Sequence, residues 1–417
     1  MLTTDPDRVG IHSLCSILDA NTVVGQALRV TPASPGSQSA LRRRNRETVL
    51  SALRSGPSTQ AALARRTGLS GATISNIVRA LTHEELVATS PTTTSGRRAV
   101  SVRLLNRESA VAGIDIGRRH VRVVVASPGY ELLGERTRDL PVGHSAQDGT
   151  NAAVETYHQV LSDAGLEASA VVGAGIGLPG PIERGSRLVL DGSILPEWVG
   201  VDIQSEFERR LHVPVLIDND ANLGARAEVT WGDHQQVEDL IFVKMGTGVG
   251  AGLIIGGQQH YGASGLAGEI GHATIDERGP TCRCGNRGCL ESYASTSVMI
   301  DALRTGSEPL GTADLVRLAL QGDTATLRIL DDAGFAVGRV IASLANFINP
   351  HVVVIGGPLA AVGDALTRPV HRGFVKHALR AIGDATPVVV SELGDRAEAL
   401  GAAAAVIQKS SGTATLS

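Results

Sequence analysis

From about residue 110 onward, short runs rich in Val and Ile alternate with longer stretches of helical character. The clearest runs are VAGIDIG, VVGAGIGLPG, VPVLIDNDA, LIFVKMGTGVGAGLIIGG and HVVVIGG. Such alternation is typical of α/β layers, in which helices cover the faces of a sheet. The composition agrees, because 42% of the 417 residues are hydrophobic, only 3% are aromatic and 49 are glycine. Small residues allow close backbone approach, so the sequence predicts an α/β body with closely packed layers.

A chain of this length is expected to form two or three units. Residues 1–40 have no sustained period and end in the Pro/Ser/Gly-rich stretch TPASPGSQSA, which predicts a flexible tail. Residues 41–108 carry twelve Arg and four Glu, a net charge of +8, whereas the whole chain has a net charge of −4. A basic module joined to an acidic body indicates that the module meets a polyanion, although a solvated Arg-rich face has the same composition.

The basic module has the pattern of a winged helix-turn-helix. Three short helical patterns are separated by SGPS and TGLS, and two strand-like runs then flank a Thr/Ser/Gly-rich loop. In the third pattern, apolar residues recur at i, i+3, i+4 and i+7, Ser70 is placed as the N-cap, and Gly68 lies in the preceding turn. The apolar stripe consists of Ile74, Ile77, Val78 and Leu81.

The face opposite this stripe carries the candidate DNA contacts. Short polar side chains on an exposed helix can reach base edges in the major groove, and arginines at the tip of a wing suit phosphates or the minor groove. A packed trihelical bundle that does not bind DNA is the alternative. The predicted contacts are Ser70, Thr73, Ser75, Asn76, Arg79, Arg97 and Arg98.

Three of the four cysteines lie within eight positions and follow a histidine. The pattern H-x9-C-x-C-x4-C offers one imidazole and three thiolates, which matches a closed tetrahedral Zn²⁺ site with no open position for water. A redox pair is disfavoured because the spacing is C-x-C, and unrelated cysteines are the other alternative. The sequence therefore predicts a structural zinc site. Its ligands are His272, Cys282, Cys284 and Cys289.

The sequence has no signal-peptide pattern and too few cysteines for a secreted disulfide framework, so we expect a cytoplasmic protein. No apolar run reaches the roughly 18 residues that a membrane helix requires, so no membrane association is expected.

The motifs together resemble the ROK family, which comprises repressors, open reading frames and sugar kinases. The resemblance covers about residues 45–410. It rests on GLPGPI at 177–182, LPEWVGVDI at 195–203, IDNDAN at 217–222, KMGTGVGAG at 244–252, GEIGH with the cysteine cluster, and VVVIGGPL at 352–359. The resemblance implies a winged helix-turn-helix at 41–108 followed by a two-lobed, actin-like ATPase fold. Lobe 1 would span 109–230, lobe 2 would span 231–395, and a last helix within 396–417 would return to lobe 1.

The resemblance also implies a sugar site. Asp220 occupies the position of the general base in the kinases, where a carboxylate removes the proton of a sugar hydroxyl as it attacks a γ-phosphoryl group. A capped turn after a strand also explains the NDAN segment, and both explanations can hold at once. His272 would be shared between zinc and ligand. The implied sugar contacts are Asn219, Asp220, Glu269, His272 and Glu291.

The first phosphate loop departs from the kinase pattern. The kinases have a DIGGT-like loop, whereas this chain has DIGRRH at 115–120, with Arg118 in place of the second glycine and Arg119 in place of the hydroxyl residue. Bulky side chains there oppose close backbone contacts with phosphates, so the loop predicts against ATP turnover. The remaining candidate phosphate contacts are Asp115, Gly246, Thr247 and Gly248.

The function that these features favour is a sugar-responsive repressor of carbohydrate uptake or catabolism genes. It would act as a homodimer or homotetramer on a double-stranded DNA operator. One alternative is an ATP-dependent sugar kinase with an appended DNA-binding module, which the intact Asp220 supports. Another is a constitutive DNA-binding or architectural protein whose cleft serves only for packing, which the retained cleft carboxylates disfavour.

Overall fold

The structure is a computed structural model, and it describes most of the chain from residue 38 onward. The described ranges are 38–54, 58–84, 86–94, 97–104, 109–182, 195–235, 237–304 and 310–413. Of the tail predicted at 1–40, residues 1–37 lie outside these ranges.

The N-terminal module consists of three helices and a small sheet. Its elements are α1 (Gln38–Arg54), β1 (Ser58–Thr59), α2 (Gln60–Thr67), α3 (Gly71–His83), β2 (Val87–Thr94) and β3 (Arg97–Leu104). The strands have the order β1-β3-β2, and both pairings are antiparallel. The predicted tail boundary is wrong by three residues, because α1 already begins at Gln38. Gly36 is the last strong helix breaker before this point, and Gln38 and Ala40 are good helix formers.

The predicted apolar stripe of the third helix faces the core of this module. Ile74, Val78 and Leu81 are fully buried against residues of α1, α2, β2 and β3, while Ile77 packs at the edge and is only partly buried. Burial of such aliphatic side chains contributes about 1.5–3 kcal/mol each. The stripe therefore fixes which face of α3 remains exposed.

The body contains two five-stranded sheets with the same topology. In lobe 1, β4 (Ala110–Ile116), β5 (His120–Ala126), β6 (Leu132–Asp139), β7 (Val171–Leu178) and β8 (Val215–Asn219) have the order β6-β5-β4-β7-β8. In lobe 2, β9 (Leu240–Met245), β10 (Val249–Ile255), β11 (Gln258–His260), β12 (Val352–Gly356) and β13 (Val388–Val390) have the order β11-β10-β9-β12-β13. In each sheet the first three strands form an antiparallel meander and the last two add in parallel.

Helices cover these sheets. Lobe 1 has α4 (Ala146–Asp163), α5 (Ile203–Leu211) and α6 (Asp220–Glu228). Lobe 2 has α7 (Glu291–Ala294), α8 (Thr296–Leu303), α9 (Thr312–Leu320), α10 (Thr324–Ile348), α11 (Asp364–His377) and α12 (Arg380–Ala385). The last helix, α13 (Ala397–Thr413), lies within the predicted 396–417 segment and packs against β4, β7 and α6.

Small residues explain how α13 returns to lobe 1 at such short range. Gly113 on β4 and Gly175 on β7 lie directly under the helix, and a Cβ at either position would clash with the carbonyl oxygen of Ala399 or Ala402. Gly401 of α13 meets the backbone of Leu223 on α6 in the same way. Backbone-to-backbone packing of this kind positions the starts of α6 and α13 side by side at the base of the cleft.

No helix within the described ranges is both long enough and apolar enough to cross a membrane.

Candidate functional site

The exposed face of α3 carries the predicted base-contacting side chains. Asn76 and Arg79 are exposed, Thr73 and Ser75 are partly buried, and all four lie outside the buried stripe. The structure thus leaves short polar groups and one guanidinium on a single helix face. This is the arrangement that major-groove reading requires.

The turn between α2 and α3 has the geometry that its sequence predicts. Gly68 ends α2 with φ 69°, a left-handed conformation that glycine adopts without steric cost. Ser70 is the N-cap of α3, and its side chain accepts a hydrogen bond from the Thr73 amide at 3.1 Å. The Ser70 hydroxyl is also 2.8 Å from that of Thr73. Ser70 therefore has a structural role in the free protein, and a phosphate contact would add to this role.

The predicted wing is the β2–β3 hairpin. Thr94 pairs with Arg97 and Thr93 pairs with Arg98, so both arginines lie at the end of the hairpin next to its turn. Residues 95 and 96 lie outside the described residues.

The cysteine cluster is compact and has the dimensions of a tetrahedral metal site. The ligand atoms of His272, Cys282, Cys284 and Cys289 all lie within 4.8 Å of one another. The Sγ atoms of Cys284 and Cys289 are 3.7 Å apart, and Cys282 Sγ is 3.8 Å from His272 Nδ1. Two thiolates bound tetrahedrally to Zn²⁺ at about 2.3 Å would be separated by about 3.8 Å. The Cys284–Cys289 separation matches this value, and the donor set of one imidazole and three thiols is suited to hold a tetrahedral ion.

The local backbone holds these ligands before any ion is considered. The Cys282 amide donates to the Asn286 carbonyl at 2.7 Å, and the Gly285 amide donates to the Cys282 carbonyl at 3.0 Å, which closes a tight loop around Cys284. Burial opposes the thiolate of Cys282, but a hydrogen bond from the Cys284 amide and another from His272 lower the pKa of Cys282 to about 7. A thiolate is therefore accessible near neutral pH, as metal binding requires.

Glu269 and Glu291 lie close to His272. Burial opposes charge on the imidazole, but the Cys282 hydrogen bond and the nearby carboxylates of Glu291 and Glu269 raise the pKa of His272. Glu291 is buried, and its Oε2 accepts a hydrogen bond from the Val249 amide at 3.3 Å. The charges of both carboxylates therefore act on this ring, and the resemblance implies that these three residues contact a sugar.

Asn219 is the N-cap of α6, and Asp220 is the first residue of this helix. The Asn219 side chain caps the helix by accepting from the amides of Ala221 at 2.9 Å and Asn222 at 3.2 Å. Its amide nitrogen donates to the Gly180 carbonyl at 2.9 Å. Ala221, the next residue of α6, lies near Gly250 of β10. The preceding strand residue, Val249, donates its amide to Glu291, so the start of α6 and Glu291 both contact this part of β10. The capped-turn explanation therefore holds for Asn219.

Asp220 forms an ion pair with a lysine that the sequence analysis did not identify. Lys244 Nζ is 2.7 Å from Asp220 Oδ2 and 3.3 Å from Glu398 Oε1. Asp220 Oδ1 also accepts from the Ala221 amide at 2.8 Å. The available signal was a single Lys in the otherwise apolar strand LIFVKM, because a cation in a buried strand requires a partner.

The first phosphate loop is closed on itself. His120 Nε2 is 2.8 Å from Asp115 Oδ2, the Gly117 amide donates to the His120 carbonyl at 2.9 Å, and the imidazole ring covers Gly117. Arg118 and Arg119 form the tip of this β4–β5 turn. Partial burial, together with the nearby charges of Arg283 and Arg119, lowers the pKa of Arg118. The loop therefore adds positive charge beside the cysteine cluster without an open backbone cradle.

The second phosphate loop keeps a bare backbone. Gly246, Thr247 and Gly248 form the β9–β10 turn, in which the Gly246 amide donates to the Gly248 carbonyl at 3.0 Å. The Gly246 carbonyl accepts from the Thr296 amide at 2.8 Å, which ties this turn to α8.

The comparisons with known proteins agree with both parts of the architecture. Residues 111–409 match the model of the ROK family, and residues 48–98 match the model of the MarR family. The chain is 29% identical over 357 residues to the xylose repressor of Bacillus subtilis, which covers 85% of this chain and 92% of that protein. It is 31% identical over 315 residues to the glucokinase of Thermotoga maritima, covering 72% of this chain and 98% of the glucokinase.

A similar solved structure has the same overall fold. The crystal structure of a ROK family transcriptional regulator, a homolog of the E. coli MLC protein, superposes with a TM-score of 0.69 at 25% identity and covers 88% of this chain and 96% of that chain. The family model spans well over half of the sequence. The chain therefore belongs to the ROK family.

Proposed function

We propose that this protein is a sugar-responsive transcriptional repressor of carbohydrate uptake or catabolism genes. The observation that carries the proposal is the exposed polar face of α3, with Asn76 and Arg79, on a winged helix that precedes a complete ROK body in one chain. The similarity to a xylose repressor, which covers 85% of this chain and 92% of that protein, supports this function.

In this proposal the cleft binds a sugar through the predicted set Asn219, Asp220, Glu269, His272 and Glu291. The charges of Glu269 and Glu291 act on His272, and Glu291 accepts from the Val249 amide of β10, which supports this set. Ala221, which follows Asp220, approaches the next residue of that strand, Gly250. A structural Zn²⁺ held by His272, Cys282, Cys284 and Cys289 would fix the ring and its flanking carboxylates. Metal binding and sugar binding would then share His272.

The proposal includes no ATP turnover. Asp220, the position of the general base, is ion-paired with Lys244, and Asp115 of the first phosphate loop is bonded to His120. A general base must be free to take the proton of the attacking hydroxyl, and phosphate binding needs exposed backbone amides. Both requirements are opposed by contacts within this chain.

Two copies would present two α3 helices to the half-sites of a near-palindromic operator. Sugar in the cleft would favour a lobe arrangement that alters the spacing of these helices. Coupling of this kind is typically about 1–3 kcal/mol and is reciprocal, so operator DNA would change sugar affinity by the same factor.

The test is titration of the zinc-loaded protein on its own upstream DNA by fluorescence anisotropy, with and without D-xylose and D-glucose. We expect sequence-specific binding that one sugar shifts several-fold. Asn76→Ala should lower specificity by about 1–3 kcal/mol at one base position. Arg97→Ala with Arg98→Ala should weaken binding to all sequences and reduce the salt slope by about one or two units. Binding that is blind to sequence and unaffected by sugar would contradict the proposal.

An ATP-dependent sugar kinase is the second candidate, and one observation favours it. The turn Gly246–Gly248 is intact, and the similarity to a glucokinase covers nearly that whole enzyme. Incubation with MgATP and D-glucose or D-xylose separates the two functions. Sugar phosphate formation that disappears in Asp220→Asn would establish the kinase.

A further inference from the structure

A buried group of charges lies where the two lobes meet at the base of the cleft. Lys244 comes from β9 of lobe 2, Asp220 from the start of α6, Glu398 from the start of α13, and Asp115 from β4 of lobe 1. The three carboxylates are each at most 7% exposed. Lys244 contacts two of them directly, at 2.7 Å and 3.3 Å. Buried charges require opposite charges or hydrogen bonds nearby, and an apolar core supplies neither.

The balance depends on a single ammonium group. Asp115 is bonded to His120 of β5, so Lys244 is the direct ionic partner of both Asp220 and Glu398. Asp218, two residues before Asp220, is engaged elsewhere, because its carboxylate accepts from the Tyr261 hydroxyl at 2.7 Å. The charged groups facing Asp220 are therefore Lys244, Asp115 and Glu398.

We infer that Lys244 is a positioning residue for the ligand: it keeps Asp220 as an oriented carboxylate that accepts a hydrogen bond from a sugar hydroxyl when no nucleotide or magnesium is bound. This inference rests on the proposed sugar-binding function and adds a residue to it. Each Asp220 oxygen accepts one hydrogen bond within the protein, from the Ala221 amide or from Lys244, and a carboxylate oxygen has a further lone pair for a ligand.

The electrostatics give Lys244 a consequence beyond packing. Burial raises the pKa of Asp220, the Lys244 ammonium lowers it, and the charge of Asp115 raises it again. Removing the ammonium leaves burial and the charge of Asp115, which favour the protonated acid, opposed by the Ala221 amide hydrogen bond. A protonated Asp220 would present a donor where the ligand hydroxyl needs an acceptor, so ligand affinity should then fall as the pH falls.

A purely structural ion pair between the lobes makes a different prediction. Loss of such a pair would lower stability, and it would change ligand affinity by the same factor at every pH. The pH profile of ligand binding therefore separates a positioning role from a structural one.

The experiment measures the affinity for D-xylose and D-glucose by calorimetry between about pH 6 and pH 9, where unperturbed carboxylates stay ionised. The proteins compared are the wild type, Lys244→Met, Lys244→Arg and Lys376→Met, whose lysine is exposed on α11. We expect the Lys244→Met variant to bind at least about tenfold more weakly than wild type near pH 6, a cost of about 1.4 kcal/mol, and to recover as the pH rises. Lys244→Arg should keep most of the wild-type profile, and Lys376→Met should keep all of it.

A Lys244→Met variant whose affinity stays within about twofold of wild type at every pH would overturn the inference, and so would an equal loss at every pH. Because Lys244→Met leaves the facing carboxylates without their cation and can impair folding, Lys244→Met with Glu398→Gln is the second variant. It removes one negative charge and should still bind more weakly at low pH than at high pH. A flat profile in a folded double variant would likewise overturn the inference.

The chain has only three lysines, which allows a test that needs no ligand. In protein labelled with ¹³C-lysine, the signal absent from Lys244→Met belongs to Lys244. Burial opposes the ammonium, but Asp220, Glu398 and Asp115 raise the pKa of Lys244 above its ordinary value, so this signal should remain in its charged position at about pH 11. A Lys244 signal that has lost its charge at about pH 11 would contradict the inference. Failure of the wild type to bind any sugar would instead contradict the proposed function.

Discussion

The β4–β5 turn of lobe 1 and the β9–β10 turn of lobe 2 occupy the same place in two sheets of identical topology, and they differ in what fills them. In lobe 2 the turn is Gly246-Thr247-Gly248, with a bare backbone. In lobe 1 the turn carries Arg118 and Arg119, and the ring of His120 covers Gly117. The sheet therefore requires a short turn at this position, but it does not require a turn with an uncovered backbone.

The packing of α13 against lobe 1 restricts the strands but not the tip of the first turn. Glycine is required inside the strands, at Gly113 and Gly175, where α13 approaches the backbone directly. The residues at the tip of the β4–β5 turn meet no such restriction, and Arg119 is exposed. Bulky side chains in this turn are therefore compatible with the fold, whereas a side chain at either strand glycine would clash with α13.

The largest expected effect concerns the support of the second turn. Loss of one zinc ligand in Cys284→Ala should release the metal and lower the free energy of unfolding by more than about 3 kcal/mol, because a structural zinc site contributes directly to folding. The Gly246 carbonyl is tied to the Thr296 amide and the Val249 amide to Glu291, so both contacts follow the cysteine cluster in the chain. Metal analysis and thermal unfolding measure the effect.

Amide hydrogen exchange of Cys284→Ala shows whether the effect is confined to the second turn. Amide protection should fall in the β9–β10 hairpin and stay unchanged in the β4–β5 hairpin. Cys15→Ala is the matched control, because Cys15 is the fourth cysteine of the sequence and is not part of the H-x9-C-x-C-x4-C segment. Full zinc content in Cys284→Ala, or equal loss of protection in both hairpins, would contradict this prediction.

Features with local periodicity or fixed spacing could be predicted from the sequence. The stripe Ile74–Leu81 and the cap Ser70 depend on neighbours within a few residues, and the structure has both. One short segment likewise brings together the candidate ligand atoms of His272, Cys282, Cys284 and Cys289. In each case the pattern and the contact lie in the same stretch of chain.

The charge cluster at the cleft base could not be predicted in the same way. Lys244 meets Glu398 across more than 150 residues. Lys244 is the first residue of the KMGTGVGAG motif, but nothing in that motif indicates a partner near residue 398. The family resemblance indicated the place of Asp220 but not its partner. The pairing depends on α13 returning to lobe 1, which brings Glu398 beside Asp220 and Lys244. Such contacts are set by topology, so they become visible only with the fold.

An intermediate effect is expected when the first turn is given the kinase pattern. Replacing Arg118 with Gly and Arg119 with Thr should raise the affinity for MgATP about fivefold, or about 1 kcal/mol, because backbone amides become accessible to phosphate. No sugar phosphate should form, since Lys244 still holds Asp220. Calorimetry and a coupled ATPase assay measure the two outcomes.

The matched control removes two arginines elsewhere in lobe 1. Arg136→Gln with Arg138→Gln changes the net charge equally on the exposed strand β6, where each arginine has only a surface ion pair. It should leave MgATP affinity unchanged or slightly weaker. Sugar phosphorylation by the Arg118→Gly, Arg119→Thr variant would mean that the first turn alone had blocked the chemistry.

The smallest expected effect is a pH-dependent contribution of His120 to stability. Burial opposes charge on the ring, but the bond to Asp115 prevails and raises the pKa of His120. A raised folded-state pKa means that the contribution is fully present below the unfolded value of about 6.5 and is lost as the pH rises through the folded value.

His120→Gln should therefore be less stable than wild type by up to about 1 kcal/mol near pH 6, with a smaller difference near pH 9. Urea unfolding at both pH values measures it. If the His120→Gln difference grew with pH, the ring would close the first turn as a neutral group, and the closed turn would not depend on its ion pair.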